Sequence, residues 1–272
     1  MFSMRPLTLS ILALFLFCGF FPVDGQGQDT ASIQLPPREQ FRIVLLVGQS
    51  NMAGRGFVEA EDKVPIPRVY MLDPSGQWVP AVDPVHYDKK SAGVGPGRAF
   101  AKELVKADPS IAVGLVPAAC GGSSVDHWEP GVYFEQTKSR PYDDAVSRTK
   151  RALQDGVLEA ILWRQGESDA TPRAVPQHAE KLTRLFKRFR DEFDAPEIPI
   201  LVGELYFDKE TEWTKAIRDA QITVVDRVQP SAFVSSEGTT LNPDRVHFDR
   251  ASQLEQGKRF YEAFRRLKDA QK

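Results

Sequence analysis

A chain of 272 residues with 42% hydrophobic and 26% charged side chains can bury a sizeable core, which excludes extensive disorder. Its 35 basic and 37 acidic residues leave a formal net charge of -2, so no global field draws it to nucleic acid or to an anionic membrane. A small or neutral ligand fits better.

Residues 1–27 read as a secretory signal peptide and the start of a linker. Arg5 supplies a positive segment, "LTLSILALFLFCGFF" an apolar core, and "PVDGQGQ" a small polar end, with cleavage expected near Gly25 or Gly27. The apolar run is shorter than the ~20 residues that span a bilayer, so a retained anchor is the lesser alternative and no stable membrane association is expected after cleavage. Bulky Phe17 in front of Cys18 argues against a lipid-modified cysteine. Cys18 leaves with the signal, so Cys120 has no disulfide partner and reads as a small apolar packing residue. Residues 28–40 are a polar linker, and 41–272 are expected to form a single domain.

In that domain "FRIVLLV", Phe41 to Val47, is a short apolar run ending at a glycine, the pattern of a strand buried on both faces. "IAVGLVP" (Ile111 to Pro117), "LEAILW" (Leu158 to Trp163), "IPILVGEL" (Ile198 to Leu205) and "SAFVSS" (Ser231 to Ser236) repeat it. Helical spacing appears over Gly97 to Ala107, Tyr142 to Gln154, Val175 to Phe193, Glu212 to Val228 and Ala251 to Lys268. The interval Gly54 to Gly95 is broken by prolines and is expected to hold one strand, "RVYML", and loops. Alternation of this kind predicts an α/β fold, a mostly parallel sheet with helices on both faces and the site beyond the strands' carboxyl ends.

Those ends carry the chain's polar chemistry. "GQSNMAG" follows the first strand, "AACGGSSVDHW" the run at 111–117, "RQGESDA" the run at 158–163, and "EGTTLNPDRVHFD" the last. A serine hydroxyl attacks an ester only with a base in reach, normally a histidine oriented by a carboxylate. Ser50 is the candidate nucleophile and His247 the candidate base, with Asp244 three residues before it able to bond the distal ring nitrogen. Glu167 is a second candidate carboxylate, and Asp249 is expected to cap the last helix. For the developing oxyanion, the amides of Ser50 and of Gly121 or Gly122 and the side-chain amides of Gln165 and Asn51 are candidate donors.

These four blocks, in order and spacing, resemble the sialate O-acetylesterase-like group of SGNH hydrolases, which includes carbohydrate esterase family 6 acetyl xylan esterases. The resemblance runs from about Phe41 to the last helix. It implies a three-layer α/β/α sandwich of SGNH-hydrolase, flavodoxin-like type, and removal of acetyl groups from a sugar with no metal or other cofactor. By matching motifs, Ser50 corresponds to the nucleophile, Gly122 or Gly121 to an oxyanion donor, and Asp244 with His247 to the remaining dyad. The wider superfamily has asparagine in its third block where this chain has Gln165. "GQSNMAG" is also not the G-x-S-x-G elbow, since Met52 stands at the second glycine position.

Blander readings compete. Taken alone, Ser50 and Asn51 are a helix cap, and Asp244 with His247 a surface turn. His127 and Trp128 either line a sugar-binding cleft or form a structural pair. Arg55 and Arg164 either make an electropositive rim for a substrate carboxylate or neutralise nearby acids. His86 has no defined role, and His178 is expected on a solvated basic helix face. No H-E-x-x-H or Cys/His cluster suggests a metal, and "GVGPGRAF" is neither a dinucleotide fingerprint nor a P-loop. The reading is a secreted serine esterase acting on an acetylated carbohydrate, such as acetylated xylan or a sialic acid-like sugar. The alternatives are a non-catalytic carbohydrate-binding protein on the same fold and a short-chain lipase or esterase.

Overall fold

The computed structural model describes residue 1 and residues 33–271, so most of the expected signal segment, with Cys18 and the start of the expected linker, lies outside the described residues. Among the described residues a seven-stranded sheet has the order β3-β2-β4-β1-β5-β6-β7. Its strands are β1 (Phe41–Gly48), β2 (Val69–Leu72), β3 (Trp78–Pro80), β4 (Ala112–Pro117), β5 (Val157–Arg164), β6 (Ile200–Gly203) and β7 (Ser231–Val234). Every pairing is parallel except β2 with β3.

Side chains along a strand alternate between faces, and β1 shows why its sequence is apolar throughout. Phe41, Ile43, Leu45 and Val47 join one hydrophobic cluster, to which α3 (Pro141–Ala152), α4 (Val175–Glu192) and α5 (Glu212–Arg227) contribute Tyr142, Phe186 and Val224. Val44 and Leu46 join the other, with Phe100 of α2 (Pro96–Ala107) and Phe260 of α6 (Arg250–Ala270). The result is a three-layer α/β/α sandwich. Each fully buried Phe, Leu or Val side chain contributes about 1.5–3 kcal/mol, so a polar residue in β1 would lose a large part of the marginal net stability.

Helix ends follow local chemistry. Pro96 and Pro141 open α2 and α3, where a missing N–H costs nothing. Asp249 caps α6 by accepting the Ser252 amide at 2.8 Å, as the sequence predicts. The strand β3 lies where the sequence predicts loop: Pro80 cannot donate to a ladder, yet at a sheet edge it need not. The expected strand 198–205 is shortened to β6.

β1 lies between β4 and β5, so the carboxyl ends of all three open on one neighbourhood, with Leu46 beside Pro117 and Gly48 beside Arg164. At Gly48 the chain turns with φ +126°, and a Cβ there would stand 2.1 Å from the Arg164 carbonyl oxygen. That turn delivers the short helix α1 (Ser50–Ala53) directly off the sheet.

Candidate active site

Ser50 is the first residue of α1 and its cap is Gln49, so the cap reading of Ser50 is corrected by one residue. The Gln49 Oε1 faces the amides of Gly166 and Ser168 at 3.4 Å each, tying α1 to the end of β5. The Ser50 Oγ lies 2.9 Å from His247 Nε2. The other ring nitrogen, Nδ1, lies 2.7 Å from Asp244 Oδ2. With Nδ1–H donated to the carboxylate, Nε2 is left as the acceptor for the serine hydroxyl.

The histidine sits on a tight turn. Asn242 N–H donates to the His247 carbonyl at 2.7 Å, Arg245 N–H to the Asn242 carbonyl at 2.9 Å, and Arg245 takes φ +60°. Asp244 Oδ1 accepts the amides of Val246 and His247, each at 2.9 Å, so the carboxylate is fixed by its own turn before it meets the imidazole. Burial pushes the Asp244 carboxyl up, but those amides and the imidazole outweigh it and hold it below the usual carboxylate range.

Asn51 does something other than the oxyanion role. Its Nδ2 donates to Glu167 Oε1 at 2.7 Å and to the Val246 carbonyl at 3.2 Å, and its Oδ1 accepts the Phe248 amide at 3.0 Å. Both N–H groups are committed, so Asn51 clamps the His247 loop to α1. Glu167 is likewise corrected as a partner of His247: Asp244 occupies Nδ1, while Glu167 Oε1 receives Asn51. Burial raises the Glu167 carboxyl, against opposing pulls from Asn51 and Arg164.

The glycine pair separates. Gly121 N–H donates to Asp88 Oδ2 at 2.9 Å, which removes Gly121 as a free donor. Gly122 has φ +89°, and its carbonyl accepts the Ser168 hydroxyl at 3.0 Å. Among the described residues, the amides of Ser50 and Gly122 donate to no backbone carbonyl. Gln165 is fully buried, with Nε2 donating to Asp169 Oδ2 at 2.6 Å and to the Ser123 carbonyl at 3.1 Å, so it is corrected from oxyanion donor to interior strut.

The proposed substrate-binding residues are displaced more completely. Trp128 is 1% exposed, packs edge-on to Trp163 and donates its Nε1–H to the Ser123 hydroxyl at 3.1 Å, so it is core and not a sugar platform. His127 accepts the Ser124 amide on Nδ1 at 3.1 Å and packs against Phe134, the structural alternative of the two. Arg164 lies between the rings of Phe248 and Phe260 and donates to Gln256, with burial pushing its guanidinium down to about 10. Arg55 is bound to the Gly54 carbonyl and to Asp88, 2.8 Å away in a buried ion pair. Neither arginine is a rim cation. His178 is also buried, not solvated, with Nδ1 3.4 Å from Asp169 Oδ2.

Three functional neighbours escape sequence reasoning. Asp88 holds both Arg55 and Gly121, Asn242 donates to the Arg55 carbonyl at 2.8 Å, and Gln49 bridges to β5. Asp88 and Asn242 sit in irregular loops with no periodic signal, whereas Gln49 stands inside "GQSNMAG" and its position beside Ser50 was the available cue.

Comparison with known proteins follows this geometry. Residues 40–266 match the family model described as carbohydrate esterase, sialic acid-specific acetylesterase. A probable carbohydrate esterase of Arabidopsis thaliana is 32% identical over 267 residues, 88% of this chain and 95% of that protein. The solved structure of an Arabidopsis thaliana protein superposes with a TM-score of 0.75 at 29% identity, covering 85% of this chain and 99% of the other. A carbohydrate acetylesterase from Xanthomonas citri shares the fold at TM-score 0.64 and 19% identity, over 83% of this chain and 56% of that one.

Proposed function

This chain belongs to the sialic acid-specific acetylesterase family of carbohydrate esterases, and from that premise we propose that it is a secreted serine esterase that releases acetate from an O-acetylated sugar through an acetyl-enzyme. The observation that carries the reading is the unbroken line from Ser50 Oγ through His247 to Asp244, with contacts of 2.9 and 2.7 Å.

In the first half-reaction Ser50 Oγ bonds to the acetyl carbonyl carbon while His247 Nε2 takes its proton. The carbonyl oxygen gains negative charge and is met by the unpaired amides of Ser50 and Gly122, the former at the start of α1. The tetrahedral species collapses, the C–O bond to the sugar breaks, and the Nε2 proton passes to the leaving sugar oxygen. Water, deprotonated by His247, then attacks the acetyl carbon and frees acetate and Ser50. Asp244 holds the imidazole and stabilises its charged form. Acetylated xylan and O-acetylated sialic acid are both within this substrate class, and the signal-like leader supports export.

The test is acetate release from both substrates by the wild type and by Ser50→Ala. Loss of release with an unchanged circular dichroism spectrum, and an acetyl group trapped on Ser50 by mass spectrometry, is the expected result. Turnover that persists without the hydroxyl would refute the mechanism. Sequencing the amino terminus of exported protein tests cleavage near Gly25 or Gly27.

A further inference from the structure

A leaving sugar must be held while its acetyl group meets Ser50, and Trp128 is in the core. An exposed aromatic ring, that of Phe57, shares a cavity with the candidate base and its carboxylate, beside the Ser50 contact of His247. Asp244 and His247 line a cavity of about 490 Å³ together with Phe57, Val58 and Pro243, a volume in the range that holds small-molecule ligands. Phe57 is 68% exposed, whereas Phe41, Phe100, Phe186, Phe189, Phe248 and Phe260 are each 0% exposed. An isolated exposed ring is ordinary in itself, but this one shares the cavity of the candidate base.

The backbone carrying it is braced. Gly56 and Val94 exchange two hydrogen bonds of 3.1 and 2.8 Å, Gly93 N–H donates to the Gly54 carbonyl at 3.0 Å, and Asn242 Nδ2 reaches the Arg55 carbonyl at 2.8 Å. The last of these ties the Phe57 segment to the loop that carries His247. The charges lining the cavity are all committed: Arg55 to Asp88, and Asp244 to His247. Lys89, which lies over the Gly121–Gly122 turn, bonds Gln136 at 2.9 Å and is not among the cavity's lining residues.

A pyranose presents one face of C–H groups, which packs on the electron-rich face of an aromatic ring. Resting on the esterase reading above, we propose that Phe57 is the specificity-determining platform for an uncharged acetylated sugar ring, stacking its apolar face so that the acetyl group is directed at Ser50. Among the described residues that line the cavity, no lysine or arginine is left without an acidic partner.

The test compares wild type, Phe57→Ala and Phe57→Trp on an acetylated xylo-oligosaccharide and on O-acetylated N-acetylneuraminic acid, with Ser50→Ala alongside. The neutral substrate should be preferred by the wild type. Phe57→Ala should raise its KM by about tenfold, with the loss carried by KM more than by kcat, and Phe57→Trp should restore it. An unchanged KM in Phe57→Ala, or a wild-type preference for the anionic sugar, overturns the platform while loss of turnover in Ser50→Ala leaves the esterase reading intact. Turnover persisting in Ser50→Ala sinks that reading, and the platform with it.

Discussion

Among the described residues, two histidine–aspartate ion pairs differ in setting, and one of them also faces a serine. His247 and Asp244 keep side-chain exposures of 24% and 48%, and the free ring nitrogen meets a serine. His178 and Asp169 are at 0% and 2%, and Asp169 also receives the Val125 amide at 2.8 Å and the Gln165 amide at 2.6 Å. The pairing is common to both. What differs is solvent access and the third partner, so the first pair can exchange a proton with a substrate and the second can only brace the interior.

The largest effect that would break this contrast lies at the exposed pair. Ser50→Ala or His247→Ala should lower kcat for acetate release by roughly 10⁶-fold with the fold intact, as for other serine–histidine pairs that act as a unit. Asp244→Asn should cost about 10⁴-fold, because the imidazole loses the partner that sets its tautomer. Steady-state kinetics on an acetylated sugar reads both.

At the buried pair the loss should appear in stability. Asp169→Ala leaves the Val125 amide without its acceptor, removes one of the two acceptors of Gln165 and takes the carboxylate away from His178, a destabilisation of about 3–5 kcal/mol measurable by urea unfolding. A finer measurement is the acid limb. Burial alone would raise the Asp169 carboxyl, but His178, Gln165 and Val125 outweigh it and set it below its ordinary 3.8. A depressed carboxyl contributes stability that is complete above that ordinary value and is lost as pH falls through the lower folded value. Asp169→Asn should therefore flatten the fall of stability on the acid side of 3.8, and an unchanged acid limb would sink the assignment.

Burial silences a nucleophile in the same way. Cys120 is 7% exposed, and burial pushes its thiol up to about 11. At pH 8 its alkylation by iodoacetamide should be slow in the native protein and fast after unfolding. Cys120→Ser should leave acetate release unchanged.

Much of the architecture was legible because burial leaves a strong trace in composition. β1 is covered on both faces, so it reads as unbroken apolar sequence, and α4 shows Leu182, Leu185, Phe186 and Phe189 at helical spacing. The edge strand β3 left no such trace, since three residues containing a proline look like loop. The contacts of His247 with Ser50 and Asp244 were legible because a serine, a histidine and a carboxylate at strand ends predict such a chain of hydrogen bonds, and the DRVH spacing suits a turn.

The amino-acid sequence by itself determined the layer order, the strands that meet at the site and which three side chains come together there, because periodicity and residue type carry those. Only the tertiary structure decided where each amide and ring points. Gln165, Asn51 and Gly121 are as capable of donating to an oxyanion as Gly122, and Trp128 is as good a sugar platform as Phe57. Contacts distant in sequence chose among them: Asp169 took Gln165, Glu167 took Asn51, Asp88 took Gly121 and the core took Trp128. A buried donor must find an acceptor and a large ring gains by burial, and which group finds which partner is set by packing across the whole chain.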